Sequence, residues 1–373
     1  MREPSYDIAF YAPWAGPTLA AGNQPTGGAE VQMLHLARGL AGRGLRVALL
    51  TYETPGLPDT VDGVDVLTQW HPGWRFVPAR RVAALGATVW RLARTDAGTI
   101  VQRSAGAMTG IVGTIARVRR RRFVYSSAST IDFTFEDAGQ RRSAVALYTL
   151  GVRLADPIVV QTDEQAVLCV DRFGRQPVVI RSVAQPAAVD GGAGAGTEGF
   201  LWIGRLATYK NPQALLDLAA AVPEAPFTIV CVPSPDDPPA TAAAVADAAA
   251  RLDNLRVLGP QPRPAMLARI ARATAIVSTS DFEGMPNTLL EGWSHGLPAL
   301  TLNHDPDSAI ARHGLGHCAN GSPTALAEHA RTLWAGRATD QALRDACRAY
   351  VRREHAPEQV VGRWIEVLGL RPA

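Results

Sequence analysis

The chain has 373 residues, 47% of them hydrophobic and 19% charged, with a formal net charge of +3. That length exceeds what one hydrophobic core usually spans, so two domains are expected. The composition excludes a disordered or collagen-like chain, and four scattered cysteines (Cys169, Cys231, Cys318, Cys347) without a CxxC pair exclude a disulfide scaffold.

The first seven residues carry no apolar signal region, and no run of 18 apolar residues occurs. A cytoplasmic protein is therefore expected, with peripheral contact at the inner face of the membrane left open. Ile8–Tyr11 reads as a short buried strand. A loop, Gly22-Asn23-Gln24-Pro25-Thr26-Gly27-Gly28-Ala29-Glu30, leads into Val31, Leu34, Leu36, Ala37 and Leu40 at helical spacing. Gly42 and Gly44 end that helix, and 46–51 is the next strand. Such a βαβ unit predicts parallel strands with a right-handed crossover.

Residues 1–185 hold 21 Arg and 15 acids, a net of +6 that leaves −3 for the rest. Val82, Leu85, Val89 and Leu92 recur at helical spacing among Arg80, Arg81, Arg91 and Arg94. Packing on the domain core is the ordinary reading, and a face turned to lipid is the other. The run Arg119-Arg120-Arg121-Arg122 reads as a solvated turn or as a contact for anionic head groups or an anionic acceptor. No aromatic residues interleave with it, so nucleic acid is not an expected partner. Strands are predicted at 99–102, 123–126, 157–161 and 178–180.

Asp190–Thr197 (DGGAGAGT) reads as a flexible linker. A second α/β series follows, with strands at 200–203, 227–232, 255–258, 275–279 and 299–302 and a helix over 215–221. The closing segment, 357–370, has helical spacing that does not decide which domain it packs on.

The strongest chemical signal is Asp281-Phe282-Glu283-Gly284-Met285-Pro286-Asn287-Thr288-Leu289-Leu290-Glu291-Gly292, just after a buried strand. Pro286 suits the first turn of a helix, and the unpaired amides of Asn287, Thr288 and Leu289 would then make an anion site. The second is Gly204-Arg205-Leu206-Ala207-Thr208-Tyr209-Lys210-Asn211-Pro212, with Arg205 past one strand and Lys210 before one helix. Two cations at a strand's carboxyl end suit a diphosphate. Lys210 is the only lysine beside 36 arginines, which points to a need for a compact ammonium there. Gly27-Gly28 allows close backbone approach to a ligand. No HExxH motif is present, and Gly314 and Gly316 argue against His313 and His317 as a ligand pair on one helix face.

The segment Glu283 to Glu291 resembles the EX7E signature of the retaining glycosyltransferases of family 4. Gly-Arg-Leu followed by Lys-Asn, and Gly-Gly-Ala-Glu near the N-terminus, resemble the same family. The resemblance is specific in 200–300 and weaker in 1–185.

It implies an α/β protein of GT-B fold: two facing Rossmann-like domains with parallel sheets and a C-terminal crossover helix. The implied domains are an acceptor-side domain over 1–185, a linker over 186–198, a nucleotide-sugar domain over 199–354, and a helix over 355–373 returning to the first domain. Glu283 is implied to meet the donor sugar, Glu291 the ribose, and Gly284, Met285, Pro286, Asn287, Thr288 and Leu289 the diphosphate. Arg205 and Lys210 would neutralise the departing nucleoside diphosphate, with Gly27 and Gly28 near donor phosphate and acceptor.

Many family members carry a His after the strand here at 123–126. This chain has Ser126-Ser127-Ala128-Ser129-Thr130-Ile131-Asp132, which leaves Asp132 or Ser127 as replacements. The implied activity is metal-independent transfer from a nucleotide-sugar donor to a hydroxyl acceptor (a glycan, lipid-linked saccharide or natural product) with retention. No cofactor is expected beyond the donor substrate. The alternative is a sugar-nucleotide epimerase of the same fold; a dehydrogenase is disfavoured, since no Gly-x-Gly-x-x-Gly follows the first strand.

Overall fold

The structure, a computed structural model, describes residues 3–20, 27–70, 78–134, 141–187, 196–232 and 237–371. They fall into two compact units: Met1–Val183 with Pro357–Ala373, and Ala184–Ala356.

The first unit contains β1 (Tyr6–Tyr11), α1 (Gly16–Leu19), α2 (Gly28–Ala41), β2 (Val47–Tyr52), β3 (Thr60–Val61), β4 (Val64–Gln69), α3 (Pro78–Arg94), β5 (Ala97–Arg103), α4 (Ala107–Val118), β6 (Arg122–Ser126), α5 (Arg142–Leu154), β7 (Ile158–Val160), α6 (Asp163–Phe173) and β8 (Val178–Val179). Its sheet runs β3-β4-β2-β1-β5-β6-β7-β8, parallel throughout except for the β3–β4 hairpin. Both faces are covered, which is why the strands read as unbroken apolar runs. Along β1, Ile8 and Phe10 enter one core cluster while Ala9 and Tyr11 enter the other.

The second unit holds β9 (Phe200–Gly204), α7 (Pro212–Ala221), β10 (Phe227–Cys231), α8 (Pro239–Arg251), β11 (Leu255–Leu258), α9 (Arg263–Arg272), β12 (Ala275–Ser278), α10 (Asn287–Ser294), β13 (Ala299–Thr301), α11 (Ala309–His313), β14 (Gly316–Cys318), α12 (Pro323–Gly336) and α13 (Gln341–Glu354). Its sheet is wholly parallel, in the order β11-β10-β9-β12-β13-β14. Here too the strand alternates, with Phe200 and Trp202 on one side and Leu201 on the other.

The last helix, α14 (Pro357–Leu368), belongs to the first unit. Val360, Val361, Trp364 and Leu368 enter the cluster built by α2 and β1. Gly39 of α2 makes the room: a Cβ there would stand 2.4 Å from Val361 Cγ2. The Arg122 guanidinium donates to the Leu368 carbonyl at 2.7 Å and fixes the helix end.

The predicted strands lie within two residues of those observed. The β3–β4 hairpin, β14 and several helices were not predicted. Three expectations change. On α3, Thr88 and Leu92 take the inward side, so Val82, Leu85 and Val89 do not pack on the core: they are 72%, 42% and 37% exposed. The arginine run divides, because Arg119 and Arg120 are solvated while Arg121 reaches the Leu92 carbonyl at 3.2 Å and Arg122 holds α14. Most of the expected linker lies outside the described residues, yet Gly196 is held, its carbonyl accepting from Thr274 Oγ1 at 3.0 Å.

Helices α4 and α5 approach backbone to backbone. A Cβ at Gly110 would lie 2.2 Å from the Leu147 carbonyl oxygen, and one at Gly151 2.4 Å from Thr109. Neither neighbour is a flexible side chain, so the helices have to separate to admit a methyl group. Gly151→Ala is expected to lower stability by about 1–3 kcal/mol in urea unfolding. Gly86→Ala, in α3 with open space around it, is expected to leave stability unchanged or raise it by up to about 1 kcal/mol.

Candidate active site

In the second unit the chain builds outward from β9 through β10 to β11, then returns to place β12 on the other side of β9. The loops leaving β9 and β12 therefore emerge side by side, where open α/β sheets bind ligands. The first carries Arg205 and Lys210; the second carries Asp281 to Pro286.

Buried hydrogen bonds fasten the two loops. Thr279 Oγ1 donates to the Lys210 carbonyl at 2.7 Å and accepts the Trp202 indole N–H at 3.1 Å. The Asp281 amide donates to the Tyr209 carbonyl at 2.8 Å. A 3-10 turn over Thr208–Lys210 passes into Asn211, whose φ of 46° lies in the left-handed region that asparagine tolerates. Its side chain caps α7 by accepting from the Ala214 amide at 3.3 Å, with Pro212 at the first helical position. The local chemistry of Lys-Asn-Pro thus sets where the lysine stands.

The Lys210 ammonium pairs with Glu283 Oε1, which also accepts from Ser280 Oγ at 2.9 Å. Both side chains are mostly buried, at 22% and 15% exposure. Tyr209 stacks on Phe282, with centroids 5.1 Å apart and planes at 14°. The Lys210 ammonium sits 5.3 Å from the Tyr209 ring centroid, and Arg205 Nη2 donates to Tyr209 Oη at 2.9 Å. One aromatic plate therefore carries both cations.

Helix α10 starts one residue later than expected, with Pro286 as its N-cap, not in its first turn. The Leu289 amide donates to the Pro286 carbonyl at 3.1 Å, so it is not one of the unpaired amides expected there. Asn287 and Thr288 still head the helix, at the positive end of its dipole. Met285 is buried, and His304 Nε2 meets the Gly284 carbonyl at 2.9 Å. Glu291 stands apart from Lys210, bonded to Arg263 of α9 at 2.6 Å.

The remaining expected residues lie in the first unit. Gly27 is the N-cap of α2 and Gly28 its first residue, while 21–26 of that loop fall outside the described residues. Asp132 is 3% exposed. Its carboxylate accepts from the Ala105 amide at 3.2 Å, the Ala128 amide at 2.7 Å and the Tyr125 hydroxyl at 3.0 Å. Burial raises its carboxyl above the usual range, against these bonds. Ser127 is equally engaged, donating to Gln165 Oε1 at 2.8 Å. Both side chains hold the β6 loop from inside.

Arg103 was not foreseen. It ends β5, donates to Ser126 Oγ at 3.3 Å, and is pulled down to about 10 by burial, so it stays charged at neutral pH. The only signal for it in the sequence is an arginine directly after an apolar strand. Among the described residues, no three His, Cys, Asp or Glu side chains gather as a metal site.

Residues 197–336 match the family model described as "Glycosyl transferases group 1", and residues 27–186 match that of a "Glycosyl transferase 4-like domain". Among solved structures, the chain is similar to the sucrose-phosphate synthase of Thermosynechococcus elongatus at 16% identity and a TM-score of 0.77, covering 98% of each chain. HepE of Anabaena, solved with UDP, matches at 14% identity and a TM-score of 0.72 over 97% of this chain and 99% of its own. AviGT4, a glycosyltransferase involved in avilamycin A biosynthesis, matches at 18% identity and a TM-score of 0.64, covering 98% of this chain and 97% of its own. With a glycosyltransferase domain in each unit and this fold over nearly its whole length, the chain belongs to the glycosyltransferases of GT-B fold.

Proposed function

We propose that the protein is a retaining, family 4 hexosyltransferase that moves a sugar from a nucleoside diphosphate sugar to a hydroxyl acceptor without a divalent metal. The observation that carries this reading is the chain's single lysine, Lys210, paired with Glu283 where the loops of β9 and β12 meet.

Sugar transfer demands charge stabilisation on the departing diphosphate. Lys210 and the head of α10 supply it as fixed, partly dehydrated positive charge, which is more effective than the same groups in water, and the exposed Arg205, bonded to Tyr209, adds a second cation. Glu283, held by Lys210 and Ser280, accepts from donor sugar hydroxyls. Glu291, oriented by Arg263, accepts from the ribose hydroxyls. Gly284 to Thr288 give the backbone approach to the phosphates, and the first unit, with Gly27 and Gly28 at the head of α2, takes the acceptor. Asp132 is a positioning residue for the β6 loop.

In the front-face route the bond from C1 to the diphosphate oxygen breaks, the acceptor oxygen bonds to C1 on the same face, and its proton passes to the departing phosphate oxygen. HepE has been solved with UDP-glucose, which makes uridine the base to test first.

Thermal shift with UDP-glucose and other nucleotide sugars, in EDTA, tests the site. Stabilisation by at least one of them, weakened in Lys210→Ala, is expected; a strict need for a divalent ion would refute the metal-free route, and no binding at all would refute the donor site. With an acceptor in hand, Lys210→Ala is expected to lower kcat about 100-fold. The product's anomeric proton is expected to show retention by NMR, whereas a sugar-carboxylate adduct by intact mass would overturn the front-face route. Asp132→Asn is expected to cost about 1–3 kcal/mol in urea unfolding, since an amide nitrogen then faces a donor, and to leave donor binding unchanged.

A further inference from the structure

We propose that the outer layer formed by α3, α4 and α5 docks the protein on an anionic lipid surface. Three observations converge on that layer.

The first is exposure. Among the described residues ten large hydrophobic side chains stand exposed, and six belong to these helices: Val82, Leu85, Val89 and Trp90 on α3, Val118 at the end of α4, and Leu150 on α5. Val82 and Val118 are 72% and 74% exposed, and Trp90 54%. This is an outward apolar face on a helix whose inward side, Thr88 and Leu92, is already buried.

The second is charge. The sequences of α3, α4 and α5 contain no acidic residue at all. Residues 78–122 hold ten arginines and one acid, Asp96. That acid sits in the turn after α3 and accepts from the Ser5 amide and hydroxyl at 3.0 Å each.

The third is arrangement. Helix α3 packs on α4 and α4 on α5. Both α3 and α4 run back from one parallel strand to the next, so their C-terminal ends share one edge of the layer, and the Arg121 bond to the Leu92 carbonyl ties those ends together. There Trp90 and Val118 stand with Arg119, Arg120 and Arg94, the last placed 4.5 Å from the Trp90 ring centroid.

Apolar teeth with a tryptophan and surrounding arginines, and one acid, Asp96, already bonded to Ser5, describe an interfacial face on which side chains enter the head-group boundary while guanidinium groups meet phosphate. A second copy of this chain would set arginine against arginine. Nucleic acid would leave the aliphatic teeth without a role. No helix among the described residues is long and apolar enough to cross a membrane, so the contact is peripheral. It does not depend on the donor-site reading.

Sedimentation of the full chain with vesicles tests this. Binding is expected to vesicles of equal parts phosphatidylcholine and phosphatidylglycerol, not to phosphatidylcholine alone, and to weaken in high salt. Arg119→Gln with Arg120→Gln is expected to weaken it roughly fivefold per arginine. Val89→Ser with Trp90→Ser is expected to weaken it about tenfold or more. Both double variants are expected to keep the wild-type melting transition, because every changed side chain is exposed, and to keep wild-type nucleotide binding. Equal binding to both vesicle types, no binding to either, or undiminished binding by the Val89/Trp90 variant would overturn the proposal. So would a dimer in sedimentation velocity that the Val89/Trp90 variant dissociates, which would make this face a contact between copies.

Discussion

A parallel sheet that reverses its building direction leaves two loop ends side by side with no strand between them, and the second unit is organised around that constraint. Crossover connections carry the chain from β9 to β11 on one flank and from β12 to β14 on the other. Everything the site needs follows from this gap. Thr279 can reach the backbone of Lys210, Glu283 can reach its ammonium, and Tyr209 can stack on Phe282, because the topology sets their loops next to each other. The pairing is then held by buried groups, so the geometry does not wait for a ligand to form it.

The first unit repeats the architecture with different contents. Its reversal lies between β1 and β5, and at the carboxyl ends of its strands stand Arg103 and the start of α2. Here the buried carboxylate is spent on backbone amides and a tyrosine hydroxyl, which makes the β6 loop a fixed wall. One unit thus presents a paired lysine and glutamate between two loops, and the other uses its buried carboxylate to hold shape.

Much of the frame was legible because buried parallel strands need apolar residues on both faces, and such runs stand out at Phe200–Ile203 or Ala275–Ser278. The strand, tight loop and helix start around Glu-Gly-Met-Pro-Asn were legible because few other arrangements accommodate that sequence. What escaped shares a cause. Periodicity shows that one face of α3 differs from the other, but not which face meets the sheet, so Val82, Leu85 and Val89 read inward when Thr88 and Leu92 hold that side. The partner of Glu291 sits 28 residues earlier on α9, a distance over which spacing is silent. The Tyr209–Phe282 stack joins residues 73 positions apart and exists only once the strand order is known. The one-residue shift at Pro286 is of another kind: its extended backbone, with ψ of 124°, places it outside the helix it introduces.

The last helix has a consequence for how the chain comes off the ribosome. The second unit is one continuous stretch, Ala184–Ala356, and can close as soon as it has been made. The first cannot, because Val360, Val361, Trp364 and Leu368 fill its core against α2 and are synthesised after the whole of the second unit. The half that is translated first is therefore the half that matures second. Until then the notch at Gly39 stays open as an apolar surface on the nascent chain, the kind of surface a holding chaperone covers.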